Sequence, residues 1–402
     1  MQQRALAQLF GCVRVVYNDS LALCRLSQKL PKTSALQKLF ITLAKKTRDR
    51  AWLKDVSAIP LQQSINDLGV AFKNFFSGLK SSRKVGFPKF KKRSNNQSAR
   101  FTRGGFKIER NKVYLAKIGL LATKWSRQLP RDPSSVTAIK DCANRYFLSF
   151  VVEIEPISKP ASRESIGADL GIKILAALSN SEKVYSPDYS KLDRKIRRTQ
   201  KQLARCTSGS NRREKVRLKL ARQYAKLTDT RKDFLHKRGR ECVQCLCSAK
   251  VRCFQHRTRL VRENKIVVLE DLNVSGLVKN RRLARAISQQ GWSMFRTMCQ
   301  TKANQYKDRE VRVIDRWQPT SQICSSCGYK WGKLDLSVRE IVCLGCGESH
   351  CRDENAAKVI HNVGVGHTRD HKRTQREHKT VSAAILGEAS TRKVAIEQLS
   401  LF

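Results

Sequence analysis

Residues 319–360 read PTSQICSSCGYKWGKLDLSVREIVCLGCGESHCRDENAAKVI, and this stretch decides how the rest of the chain is understood. Its first part pairs Cys324-x2-Cys327 with Cys343-x2-Cys346. Each pair can close a tight knuckle, with Gly328 and Gly347 placed where the chain must turn sharply. Two facing knuckles offer four thiolates at the corners of a tetrahedron, the arrangement that structural Zn²⁺ takes in a ribbon. Its second part carries Asp353, at the start of a helix in Cys-Arg-Asp-Glu-Asn-Ala-Ala-Lys. Alone, such a carboxylate is more often simply a helix N-terminal acid favoured by the macrodipole. It gains meaning only if other acids converge on it.

Two such acids lie upstream. Asp169 sits inside SIGADLGIKILAALSNSEKVY, which starts at Ser165 and reads as a buried strand doubling back at Asn180. A carboxylate there is costly to bury unless it is paired, holds a cation, or accepts backbone hydrogen bonds. Glu270 and Asp271 end the apolar strand NKIVVLEDLN at residues 264–273. Strand-end carboxylates suit metal binding at the C-terminal edge of an α/β sheet, although they also close strands in solvated turns. Asp169, Glu270 and Asp353 together are the makings of a two-metal nuclease site, since Mg²⁺ prefers hard oxygen ligands. Strand and hairpin, later strand, then helix is the order of a RuvC or RNase H-like domain.

The totals point the same way. Lys and Arg number 81 against 33 Asp and Glu in 402 residues, a formal charge of +48. A compact fold tolerates such a charge best with a polyanion, and each neutralised phosphate releases a counterion. No run of about 18 apolar residues suggests a membrane span. Fourteen cysteines without a signal-peptide pattern point to reduced thiols and metal in a cytoplasmic protein acting at the nucleoid.

Further regions follow from changes of period. Residues 1–79 read as helices, with Leu6, Leu9, Phe10, Val13, Val16 and Tyr17 on one stripe and Leu36, Leu39, Phe40 and Leu43 on another. Residues 80–98 form a basic loop in which Lys89 and Lys91 interleave with Phe87 and Phe90, suiting a backbone-tracking surface or a solvated linker. From residue 99 to 157 the period drops to two, as in a small antiparallel barrel or sandwich. Residues 188–235 read as a helical hairpin with sixteen Lys or Arg between Lys191 and Lys232. Among them Arg194, Arg197, Arg198, Lys201, Arg212 and Arg213 are candidate nucleic-acid contacts. Residues 238–257 are rich in cysteine, and a second metal site through Cys242, Cys245, Cys253 and His256 is one reading of them. The tail after Asn362 is basic and reads as disordered.

The set Gly-x-Asp-x-Gly at 167–171, Leu-Glu-Asp-Leu at 269–272, the four cysteines and Arg-Asp-x-Asn-Ala-Ala at 352–357 resembles the TnpB family. These are transposon-encoded proteins, also known as OrfB-type transposases and related to compact type V CRISPR effectors. The resemblance runs from about residue 11 to residue 360. It implies an RNA-guided, Mg²⁺-dependent DNA endonuclease whose partners are a guide RNA and a double-stranded DNA target. It also implies Asp169, Glu270 and Asp353 as the catalytic, magnesium-holding triad, with Cys324, Cys327, Cys343 and Cys346 as zinc ligands. The expected fold is α+β and multidomain. A helical recognition lobe at 1–93 precedes a wedge-like β-barrel at 94–160. A RuvC-like nuclease follows at 161–318, with a zinc ribbon inserted at 319–349, the final nuclease helix at 350–362 and the tail at 363–402.

Three departures from the family pattern stand out. The chain starts inside a helix that family members precede with a basic β-strand, so the barrel is expected to lack an edge strand. Residues 238–257 look like an insertion, and Cys351 replaces the first Asp of Asp-Arg-Asp. These leave a second reading, a nuclease-inactive regulator that binds DNA and RNA. A zinc-ribbon RNA-binding protein without catalysis, or a strand-joining transposase, are the remaining alternatives, and no tyrosine lies in a His-x-His setting to support the last.

Overall fold

The computed structural model describes residues 1–80, 85–236, 256–335, 337–366 and 393–401, with His236, 256–258 and 393–401 described by backbone alone. The chain is a mixed helix-and-sheet protein in two compact units. One holds Met1–Ile154, Cys206–Arg222 and the last strand; the other holds Glu155–Arg205 and the chain from Gln223 through the helix that bears Asp353.

In the first unit, α1 (Gln2–Leu26) buries the stripe from Leu6 to Tyr17 that its spacing foretells. After α2 (Thr33–Gln37), residues Lys38–Leu43 wind as a π-helix. That wider turn rotates the expected stripe, so Leu36 and Ile41 are buried while Leu39 and Leu43 stay over 40% exposed. Two 3₁₀ segments lead to α3 (Ala58–Leu79), with Pro60 in its first turn, where a missing N–H costs nothing.

The strands are β1 (Gln97–Thr102), β2 (Phe106–Glu109), β3 (Lys112–Leu115), β4 (Gly119–Ala122), β5 (Ser135–Lys140) and β6 (Tyr146–Glu153). They form two antiparallel sheets, β2-β3-β4 and one ordered β1-β5-β6. The run KVYLAKIG is a hairpin because Lys117 and Gly119 both adopt positive φ. Leu9, Phe72, Phe101 and Phe150 lie in one buried cluster, so the helices and strands share a core.

The second unit is built on β7 (Arg163–Asp169), β8 (Ala176–Leu178) and β9 (Lys183–Val184). The chain therefore folds back twice, first where Gly171 N–H donates to the Leu175 carbonyl and again around Ser181, which adopts positive φ. The helices α4 (Ser190–Ala204) and α5 (Asn211–His236) come next, followed by α6 (His256–Glu263) and β10 (Asn264–Glu270). Then come α7 (Val274–Leu277), α8 (Ala284–Gln290), α9 (Trp292–Ala303) and β11 (Glu310–Ile314). The sheet order is β11-β10-β7-β8-β9, with β10 parallel to both neighbours. Ile166, Ala168, Val267 and Leu269 face one side, packed with Leu260 and Phe295. Val268 and Ile314 face the other, against Ile360.

A two-stranded ribbon, β12 (Glu340–Val342) and β13 (Ser349–Cys351), runs directly into α10 (Arg352–Val365). The last strand, β14 (Lys393–Leu401), pairs antiparallel with β6 and completes the order β1-β5-β6-β14. A strand thus stands where the sequence suggested an unstructured tail, on a sheet expected to lack an edge strand. Most of the cysteine-rich segment, and with it the second metal site, lies outside the described residues. Among those described, no helix is long and apolar enough to cross a membrane.

Candidate functional site

The way α10 lies on the sheet sets the site. Ser165 Oγ is 2.7 Å from His361 Nε2 at one end of β7. Two residues on, Gly167 passes so close to the helix that a Cβ would meet the Ala357 carbonyl oxygen. Steps of two along a strand cover about 6.6 Å, and steps of four along a helix about 6 Å. The next matched step pairs Asp169 with Asp353. Leu269 is in register with Ala168, so Glu270 stands beside Asp169 on the adjacent parallel strand. The pleat points both toward the α10 side, as it does Gly167 and Val268. Three acids far apart in sequence therefore gather at the C-terminal edge of β7 and β10.

Their electrostatics agree. The Asp169 carboxyl is pushed up to about 7, first by burial and then by the negative charges of Glu270 and Asp353. Glu270 is also raised, by burial and by Asp271, and no hydrogen bond or ion pair to its carboxylate is found among the described residues. Asp271 differs: Arg296 (2.7 Å) and Arg316 both bind it, and these bonds hold it below the usual carboxylate range. Two neighbouring acids thus separate into one compensated and one open. Arg339 Nη1 lies 3.3 Å from Asp353 Oδ1, and the charge of Arg352 acts on Asp169 more weakly than its two acidic neighbours. Crowded, under-compensated carboxylates of this kind fit a divalent cation. Their oxygens form a looser group than the cysteines below and do not all approach within 4.8 Å of one another.

The four cysteines do. Cys324, Cys327, Cys343 and Cys346 have all their sulfurs within 4.8 Å of one another. Cys324 and Cys346 are 3.8 Å apart, and Cys327 and Cys343 are 3.5 Å apart. Zn–S bonds of about 2.3 Å at tetrahedral angles place sulfurs about 3.8 Å apart, so the donor set suits a structural zinc site. Gly328 and Gly347 have φ of 80° and 73°, the turn that each knuckle needs. His350, 4% exposed, brings Nε2 to 3.2 Å from Cys324 Sγ.

The ribbon is tied to α10 through Asn355, which is 1% exposed. Its Oδ1 accepts from Ser325 N–H at 2.8 Å, and its Nδ2 donates to the Ile323 carbonyl at 2.7 Å. Asn362 Nδ2 adds a bond of 3.2 Å to the Ser325 carbonyl. Arg339 and His350 were not singled out from the sequence, and Asn355 stood there only as part of Arg-Asp-x-Asn-Ala-Ala. Only Asn355 left a sign there, an amide between Asp353 and two alanines that face the sheet.

The basic candidates are placed differently from one another. Arg194, Arg197, Arg198 and Lys201 are exposed on α4, opposite buried Asp193, Ile196 and Thr199. Asp193 accepts from Arg285 at 2.5 Å and from Gln289, which anchors α4 on α8. Arg212 is exposed, while Arg213 turns inward and donates to the Cys206 carbonyl at 2.9 Å. Lys89 is exposed. Lys91 instead stacks its ammonium 4.1 Å over the Tyr17 ring, and burial lowers its pKa.

Comparison with known proteins gives three family matches: a probable transposase at residues 149–281, a Cas12f1-like TNB domain at 292–360 and a helix-turn-helix domain at 1–28. A Streptomyces pristinaespiralis protein named "Putative RNA-guided DNA endonuclease" is 38% identical over 98% of this chain and 94% of its own length. An Escherichia coli K12 protein, "Putative RNA-guided DNA endonuclease InsQ", is 30% identical over 80% of this chain and 78% of its own.

Proposed function

Because the chain belongs to the TnpB family of transposon-encoded, RNA-guided DNA endonucleases, we propose that it cuts DNA under the direction of a guide RNA. The observation that carries the reading is the convergence of Asp169, Glu270 and Asp353, whose mutual repulsion Arg339 and Arg352 relieve only in part. These three side chains would hold divalent magnesium. If bound there, such ions would supply activation of water and stabilisation of the departing 3′-oxygen of a phosphodiester.

The protein's own contribution is placement. Gly167 lets α10 sit close enough to bring Asp353 over the sheet edge. Asp271 keeps Arg296 and Arg316 engaged beside the site, leaving the Glu270 carboxylate open. The four cysteines would hold one structural zinc, closed to solvent water, and Asn355 links that knuckle to the catalytic helix. A net charge of +48, with the exposed arginines of α4, suits a protein that holds both an RNA and a DNA duplex.

The test is direct. Protein purified with its cognate RNA is expected to cut matching DNA in Mg²⁺. Asp169→Ala should lower the rate at least about a thousandfold, a loss of roughly 4 kcal/mol of transition-state stabilisation, while RNA binding is kept. Cutting by that variant at the parental rate overturns the role of Asp169. Tight binding of both polymers by the parent, without cutting, supports the nuclease-inactive regulator instead.

A further inference from the structure

On the flank of α10, away from Asp353, lies an open cavity of about 330 Å³, lined by residues from β7, the β8–β9 turn, the first knuckle and the helix itself. Its size falls at the low end of ligand-holding cavities, roughly 300–1,000 Å³, but its walls are not the apolar surface of most such sites. Arg163 and Lys358 bring positive charge, and Asn180 and His361 bring amide and imidazole groups. No carboxylate lines it. Glu164, next to Arg163 in sequence, is turned away onto Lys265 at 2.7 Å. Glu348 and Glu354 feel the charge of Lys358 without lining the cavity: Glu348 is hydrogen-bonded to the Ser326 side chain, and Glu354 is committed to Lys183 at 2.7 Å.

One further detail singles this place out. Ser325 Oγ is buried with no hydrogen-bond partner among the described residues, and Ser325 lines the cavity. That hydroxyl is an unpaired donor set in the wall of the cavity. The remaining wall is well ordered by its own bonds. Ser165 Oγ and His361 Nε2 share a hydrogen bond, His361 Nδ1 lies 3.3 Å from Asn362 Oδ1, and Gly167 N–H donates to Ser179 Oγ at 3.1 Å. These bonds fix Ser165, Ser179, His361 and Asn362 in the wall between the two cations.

We propose that this cavity is a phosphodiester-binding site, taking the sugar-phosphate backbone of a nucleic acid strand on the flank of α10 away from the nuclease centre and reading no base. Two cations with an amide donor and no acid among the lining residues are the chemistry of phosphate contacts, which position a strand rather than specify it. The proposal rests on the nuclease reading for its choice of polymer. The phosphate belongs either to the guide RNA or to the DNA being cut.

The experiment uses the full chain with its RNA, in an Asp169→Ala background without Mg²⁺, so that cleavage plays no part. Arg163→Ala/Lys358→Ala is compared with its Asp169→Ala parent for affinity toward the guide RNA, and then, RNA-loaded, toward single-stranded target DNA across a salt series. About a tenfold loss is expected for one polymer, with the salt slope falling by roughly one per phosphate contact removed. Loss toward RNA identifies the guide as the source, and loss toward DNA identifies the target. Ser326→Ala and the conservative Lys358→Arg check folding by melting, with Lys358→Arg expected to restore most of the affinity. Unchanged affinities and slopes for both polymers overturn the site. Failure of the nuclease reading shows separately, as uncut DNA in the unsubstituted protein.

Discussion

A Cβ placed on Gly167 would stand 2.4 Å from the carbonyl oxygen of Ala357, inside the distance that any side chain tolerates. The glycine is required by approach and not by backbone angle, and that approach is what brings Asp353 to Asp169. Gly167→Ala must push α10 off the strand. A displacement of about 1 Å can cost roughly a hundredfold in rate. Cleavage should fall by that order and the melting temperature should drop, while RNA binding persists. A Gly167→Ala protein with parental cleavage would show that the helix need not sit so close.

Glu270 and Asp271 are neighbours with opposite surroundings, and substitution should separate them. Glu270→Gln removes an uncompensated carboxylate and should abolish cleavage by about a thousandfold or more, with melting unchanged or raised. Asp271→Asn deprives Arg296 and Arg316 of their charge partner and should lower the melting temperature while retaining measurable cleavage. The reverse pattern would reassign the open carboxylate.

Asp169 gives a pH dependence with a definite sign. Its carboxyl stands at about 7 against an ordinary 3.8, so the folded protein holds that proton more tightly than the unfolded chain. The stability linked to it is full at low pH and is lost as the pH rises toward 7. Melting of Mg²⁺-free protein from pH 5 to pH 8 should therefore show a fall that shrinks in Asp169→Asn. Magnesium should bind more tightly at pH 8 than at pH 6, because ligation requires that proton to leave. Parallel melting profiles for parent and variant would refute the shift.

Metal analysis of the purified protein should find about one zinc per chain, as a closed four-thiolate site demands. Cys324→Ser/Cys327→Ser should lose it and lower the melting temperature. Metal content near zero in the parent would remove the ribbon reading.

Asn355→Ala leaves two buried backbone groups, Ser325 N–H and the Ile323 carbonyl, without their partner, at about 1–3 kcal/mol each. Zinc should remain bound while cleavage falls, because the knuckle keeps its thiolates but no longer fixes the helix bearing Asp353. Full cleavage in Asn355→Ala would show that ribbon and helix are not coupled in this way.

Much of this was legible beforehand, for identifiable reasons. The knuckles announce themselves because four cysteines at fixed spacing, each pair followed by glycine, encode their own geometry. The stripe on α1 was equally readable, since burial on one helix face leaves a periodic trace. The π-helix at Lys38–Leu43 was not, because its altered winding breaks that period, and the strand Lys393–Leu401 was not, because its pairing with β6 lies far off in sequence.

Residue identity by itself determined which groups could carry chemistry here: three acids, four thiols and a great excess of positive charge. Only the tertiary structure decided that Glu270 is the open carboxylate and Asp271 the clamped one, that Asn355 joins knuckle to helix, and that Ser325 opens on a carboxylate-free cavity. The reason is physical. Composition and period record what a residue is and which face it occupies, whereas compensation of a charge depends on side chains brought near from distant parts of the chain.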